Sequence, residues 1–131
     1  METRSPYKSA RELGIEPWEH EGLVALVGPL SRGELRLDMR TPMSEVQSCG
    51  TVACIGGHIA LRRGLSSLAV ARYVKSYRRV GGRAKHRLTP LFFPELPNAW
   101  FCTAEQAGSA IVNFLTLGEP RWDDVMCGGA G

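Results

Sequence analysis

Two thiols, an imidazole and three glycines fall within ten residues of this 131-residue chain, in Cys49-Gly-Thr-Val-Ala-Cys54-Ile-Gly-Gly-His58. Three chemistries could use them. In the first, the segment is a structural helix and Cys54 is a small apolar filler, since cysteine is among the most buried residue types. Gly50, Ala53, Cys54, Gly57 and Ala60 recur at spacings of three and four, a stripe of small side chains along one helix face. A mid-helix glycine costs about 0.8–1 kcal/mol relative to alanine, so adjacent glycines at 56 and 57 need a compensating contact. Close approach of another backbone or an aromatic ring would supply it, with Val52, Ile55 and Ile59 buried on a neighbouring face.

In the second, Cys49, Cys54 and His58 are metal ligands, and Cys102, Cys127, His20 or His86 adds a fourth donor. Helical geometry opposes this: Cys54 and His58 share a face one turn apart, while a helical Cys49 points away from both. The spacing also departs from the closely paired cysteines of zinc sites. In the third, Cys49 is a thiolate nucleophile at a helix N-terminus, where unpaired N–H groups and the dipole stabilise negative charge. His58 lies two turns further on and cannot serve Cys49 as a base, whereas Cys54 is within its reach but sits inside the helix. No Ser/His/Asp set, phosphate loop or paired carboxylates stand elsewhere in the chain. The residues favour packing, so no catalytic residue, metal or cofactor is expected; a metal, if bound, would be held by Cys49, Cys54 and His58.

The elements that position this segment follow from pattern and punctuation. A short helix is expected over Lys8 to Leu13, stopped by Gly14, and a second begins at Pro17 with Leu23, Leu26, Val27 and Leu30 as its apolar stripe. Pro29 is expected to end or kink it. Glu34 to Arg40 alternates charged and apolar residues as a half-buried strand does, and Ala99 to Cys102 is its best partner by composition. The motif helix runs from about Gly50 to Arg63 and stops at Gly64. Ser66 or Ser67 caps a further helix with the stripe Val70, Tyr73, Val74 and Tyr77, ended by Gly81-Gly82. Leu88 to Pro94, broken by prolines, plugs the core as a turn or short helix. Thr103 with Gln106 is a capping-box pattern, followed by an apolar face of Ala107, Ala110, Ile111, Phe114 and Leu115 and by Gly118 and Pro120 as stops. Trp122 should fold back on the body. The fold class expected is mainly α: a single small domain, 1–131, of about four to five helices with one short strand or hairpin, and flexible ends at 1–7 and 127–131.

Bulk properties set the compartment and the partner. An apolar fraction of 44% and a charged fraction of 22% belong to an ordinary globular chain. The amino terminus has no apolar core of a secretory signal, and the longest clearly apolar uncharged stretch, Gly22 to Ser31, falls far short of the about 20 residues that cross a bilayer. A cytoplasmic location, with no membrane contact, is expected. The net charge of +3 hides an asymmetry: Arg72, Lys75, Arg78, Arg79, Arg83, Lys85 and Arg87 form an acid-free segment, against nine basic and thirteen acidic residues elsewhere. Such a block is a solvated face or a surface for a polyanion. Tyr73, Tyr77 and His86 interleave with it, which raises nucleic-acid binding as an alternative, although the two tyrosines also belong to the buried stripe.

The Cys49-to-His58 motif, together with Leu91-Phe-Phe-Pro94 and the Thr103-to-Gly118 helix with Pro120 and Trp122 behind it, resembles a type of small protein from bacterial and bacteriophage genomes. Those proteins have a Cys-Gly-Thr-x-x-Cys-Ile/Leu-x-Gly-Trp/His core, a Leu-Phe-x-Pro turn and a last amphipathic helix. The resemblance spans roughly positions 35 to 122. Tryptophan often occupies the place of His58 in the type, which implies packing there and not ligation. The resemblance brings no activity with it; a phage or mobile-element origin implies a regulatory or host-directed inhibitory role. The function expected is therefore a non-catalytic accessory protein that binds a macromolecule, with an acidic protein surface as the favoured partner. Two alternatives stand beside it: a nucleic-acid-binding protein using residues 72–87, and a metal- or thiol-dependent protein built on Cys49, Cys54 and His58.

Overall fold

The computed structural model describes residues 7–40, 44–46, 50–78 and 86–127. The mainly α architecture legible in the sequence is what forms. Its elements are α1 (Ala10–Leu13), α2 (Pro17–Ser31), β1 (Arg36–Leu37), β2 (Ser44–Val46), β3 (Gly50–Ala53), α3 (Ile55–Arg63), α4 (Ser67–Lys75), α5 (Thr89–Phe92), a 3-10 turn at Pro97–Phe101, α6 (Ala104–Leu117) and α7 (Trp122–Cys127). None of the described helices is long and apolar enough to cross a membrane.

The helix ends obey local chemistry. Ser9 with Glu12, and Thr103 with Gln106, form reciprocal capping boxes at α1 and α6. Ser66 Oγ accepts the Ala69 N–H at the start of α4. Leu23, Leu26 and Leu30 of α2 are buried, and α2 packs along α6, whose Ala107, Ala110, Ile111, Phe114 and Leu115 are all enclosed. The crossing is close: a Cβ added at Gly108 would meet Ser31 Oγ at 3.1 Å. Pro29 does not end α2, which continues to Ser31. A proline so near the C-terminus removes one N–H from the last turn, and the Arg32 N–H to the Gly28 carbonyl closes that turn regardless. Trp122 folds back as expected, buried with its indole N–H donating to the Pro90 carbonyl at 2.8 Å. It opens a helix that the sequence pattern had not marked. Of the expected flexible ends, Tyr7 packs against the core and Cys127 closes α7; residues 1–6 and 128–131 lie outside the described residues.

α4 ends at Lys75 and not at Gly81-Gly82, which lie outside the described residues; two further expectations are corrected. The motif segment is not one helix from Gly50 to Arg63. Its first four residues form β3, which pairs parallel with β1 (Arg36 opposite Val52) and antiparallel with β2 (Glu45 opposite Thr51), in the order β1-β3-β2. Cys54 then turns the chain, with φ −75° and ψ 177°, and the helix begins at Ile55. The β-branched pair Thr51-Val52 suits the extended backbone. Likewise Ala99–Cys102 is not the strand partner: Pro97–Phe101 is a 3-10 turn, pinned by the Trp100 indole N–H on the Pro94 carbonyl at 2.9 Å. Proline at the first position lacks a ladder donor and presets a helical φ.

Candidate functional site

Cys54 occupies the N-cap of α3. Its extended backbone aims Sγ at the first turn, where it accepts the Gly57 N–H at 3.3 Å. The thiol is 2% exposed. Burial pushes its pKa up to about 11, against the smaller opposing pull of the backbone N–H groups of Gly57 and Gly56. A helix N-terminus activates a cysteine only where solvent and substrate reach it, and this one is sealed. The helix start packs closely beside it: a Cβ on Gly56 would lie 3.0 Å from the Phe92 ring and 3.2 Å from Val74 Cγ2. This is the aromatic close approach expected of the adjacent glycines, made at Gly56. On the α2 side, a Cβ on Gly22 would lie 2.7 Å from Ile59 Cγ2.

His58, 7% exposed, sits one turn after Cys54. Its Nε2–H donates to the Arg36 carbonyl of β1 at 2.6 Å, tying α3 to the sheet edge. Burial lowers its pKa below the ordinary 6.5, against a smaller rise from that hydrogen bond. Among the described residues, no three His, Cys, Asp or Glu side chains converge to hold a metal. Of the conceivable fourth donors, His20 Nε2 is bonded to the Lys8 carbonyl at 2.7 Å, and His86 Nδ1 accepts the Leu88 N–H at 3.2 Å. Cys102 is buried, with its thiol pushed up to about 11 by burial, and Cys127 is exposed at the end of α7. Cys49 lies outside the described residues.

The basic segment is divided. Arg72 and Lys75 stand on the exposed side of α4 and Arg78 just beyond its end, and none of the three makes an ion pair among the described residues. Arg87 runs instead past the left-handed C-terminal glycines of α1 and α6, Gly14 and Gly118; a Cβ on these would lie 3.7 Å from Arg87 Cδ and 3.6 Å from its Nη1. A cation there is favoured by the C-terminal end of the α6 dipole. Arg79, Arg83 and Lys85 lie outside the described residues.

The interleaved aromatics are not free to stack on bases. Tyr73 and Tyr77 both donate their hydroxyls to Glu19 Oε2 at 2.6 Å, while Glu19 Oε1 accepts the Glu16 N–H at 2.8 Å. Glu19 is 1% exposed. Burial, then the hydrogen bonds to Glu19, hold both phenols well above their ordinary range. Tyr73 packs on Trp18 and Phe92, and Tyr77 on His86 and Phe92. Arg63 lies 4.3 Å above the Trp18 ring. Sequence reasoning missed this latch between α2 and α4, although Glu19 takes the position one turn before Leu23 in the apolar stripe. It also missed Leu68, which stands 62% exposed on α4 in line with Arg72 and Lys75. No family model, curated protein or solved structure matches the chain.

Proposed function

We propose that this chain is a non-catalytic accessory or regulatory protein of the cytosol, acting through the outer face of α4 on an acidic surface of a protein partner. The observation that supports it most is the row Leu68, Arg72 and Lys75, continued by Arg78: an exposed apolar side chain flanked by cations without ion pairs among the described residues. An apolar anchor desolvated on contact, ringed by charges that steer encounter and fix register, suits a protein surface bearing carboxylates. The chemistry-bearing residues support the same reading from the other side, because Cys54 Sγ and His58 Nε2 are engaged by the fold itself. A metal- or thiol-dependent protein built on Cys49, Cys54 and His58 has correspondingly less support. A phage-encoded, host-directed inhibitor, the role implied by the resemblance, is the form of this reading we favour.

Nucleic-acid binding through residues 72–87 draws on the same cations but lacks stacking platforms, since Tyr73 and Tyr77 are held by Glu19. Three phosphate contacts from Arg72, Lys75 and Arg78 would give a slope of log affinity on log salt near about −3 on duplex DNA. The test compares capture by the immobilised protein and by its Arg72→Glu, Lys75→Glu, Arg78→Glu variant, with and without nuclease. The expected result is a protein retained despite nuclease and at least tenfold depleted on the variant, whose thermal midpoint matches the parent. Retention of nucleic acid alone, or equal retention by both proteins, would overturn the reading.

A further inference from the structure

A groove of about 600 Å³ opens between the C-terminal half of α2, the approach to β1 and the outer side of α3. That size suits a small organic ligand. Its walls are apolar, from Leu26, Pro29, Leu35 and Leu61, and His58 lines it. The imidazole is fixed in one role. Nε2 carries the proton, because it donates to the Arg36 carbonyl, so Nδ1 of the neutral ring presents a lone pair. Nδ1 has no hydrogen-bond partner among the described residues, and no described side-chain nitrogen or oxygen is both sealed from solvent and unpaired. Nδ1 is thus the ring nitrogen left without a partner and not sealed from solvent, and the groove is the cavity that its residue lines.

The charges at the rim narrow the choice further. Glu34 is paired with Arg32 at 2.7 Å and Arg62 with Glu21 at 3.4 Å, which leaves the exposed Arg36 guanidinium as the groove's cation without an ion pair among the described residues. We infer that this groove is a binding site for a small aromatic carboxylate with one ring N–H or O–H donor, the donor bonding His58 Nδ1, the ring lying on the leucine walls and the carboxylate meeting Arg36. The site is separate from the α4 face and stands or falls independently of it.

Calorimetric titration with indole-3-acetate and with naphthalene-1-acetate, which has a similar shape but no ring donor, tests the assignment on the full-length protein. Indole-3-acetate should bind at least tenfold more tightly. The ¹⁵N resonance of His58 Nδ1 should move on binding while that of Nε2 stays in place. Leu61→Trp, which fills the groove, should abolish binding with the fold intact; where that variant does not fold, the Nδ1 resonance of the parent protein decides. Absence of binding at millimolar ligand, equal affinity for the two acids, or an unmoved Nδ1 resonance would overturn the inference. So would tenfold tighter binding of a blocked Glu-Trp-Glu peptide, which would give the groove to a partner's side chain.

Discussion

Alkylation of Cys54 separates a structural cap from a reactive thiol in quantitative terms. At pH 8 a thiol at its ordinary 9.0 is about one-tenth thiolate, whereas one raised to about 11 is about one-thousandth. The thiolate fraction alone therefore slows attack on iodoacetamide by roughly a hundredfold. Enclosure slows it further, because Cys54, 2% exposed, can be reached only when the fold around it opens. Every about 1.4 kcal/mol of opening cost adds another factor of ten. The assay is a labelling time course on the reduced protein, native and in denaturing urea, with tandem mass spectrometry to separate Cys54 from Cys49. Each residue is compared with itself unfolded, and exposed Cys127 is the internal control, expected to label in the native state at close to its unfolded rate. The native rate for Cys54 should fall more than a hundredfold below the unfolded rate. A ratio within tenfold would refute the cap and restore the nucleophile.

Acid sensitivity should include a contribution from His58. Its folded pKa lies below the ordinary 6.5, so on acidification the unfolded chain binds the proton first; stability holds above that value and falls as pH drops from it through the lower folded one, by at most about 1.4 kcal/mol per pH unit. Urea unfolding of the parent and of His58→Gln between pH 7 and 5 should show a steeper slope in the parent, above the range where Glu12, Glu34 and Asp38 titrate. At the α2–α3 crossing, Gly22→Ala sets a Cβ against a buried, χ1-restricted isoleucine, so overpacking of about 1–3 kcal/mol outweighs the about 1 kcal/mol gain in helix propensity. In an Ile59→Ala background the same change should stabilise, and a stabilised single variant would contradict the close crossing. Tyr73→Phe and Tyr77→Phe should each cost about 1–3 kcal/mol by depriving the buried Glu19 carboxyl of a donor, and the double variant should cost more than their sum. Neutral effects in chemical denaturation would show that the latch does not stabilise the fold.

Local grammar was the legible part of the chain. Thr103 with Gln106, the glycine stops at 14, 64 and 118, and the apolar stripes of α2 and α6 all read correctly because caps and helical spacing depend on near neighbours. The adjacent glycines pointed to a close approach, and at Gly56 an aromatic ring makes it, while the helix was started five residues too early. Small and apolar residues at 50–54 fit a helix face as well as a strand, and only pairing with Arg36–Leu37, far back in the chain, decides between them. The candidate site followed the same rule. The basic segment is evident as a block of charge, but the path of Arg87 along two helix ends is tertiary, as is the burial of Glu19 beneath two tyrosines.

The central claim is that the outer face of α4 is where this protein meets an acidic protein partner. Its most direct test is a photo-crosslinking amino acid placed at Leu68, activated in cells that carry the protein. The expected product is a discrete adduct with a protein whose crosslinked peptide is rich in Asp and Glu, lost when Arg72, Lys75 and Arg78 are reversed to Glu in the same molecule. A nucleic-acid adduct, or the same protein adduct surviving that reversal, would contradict the account.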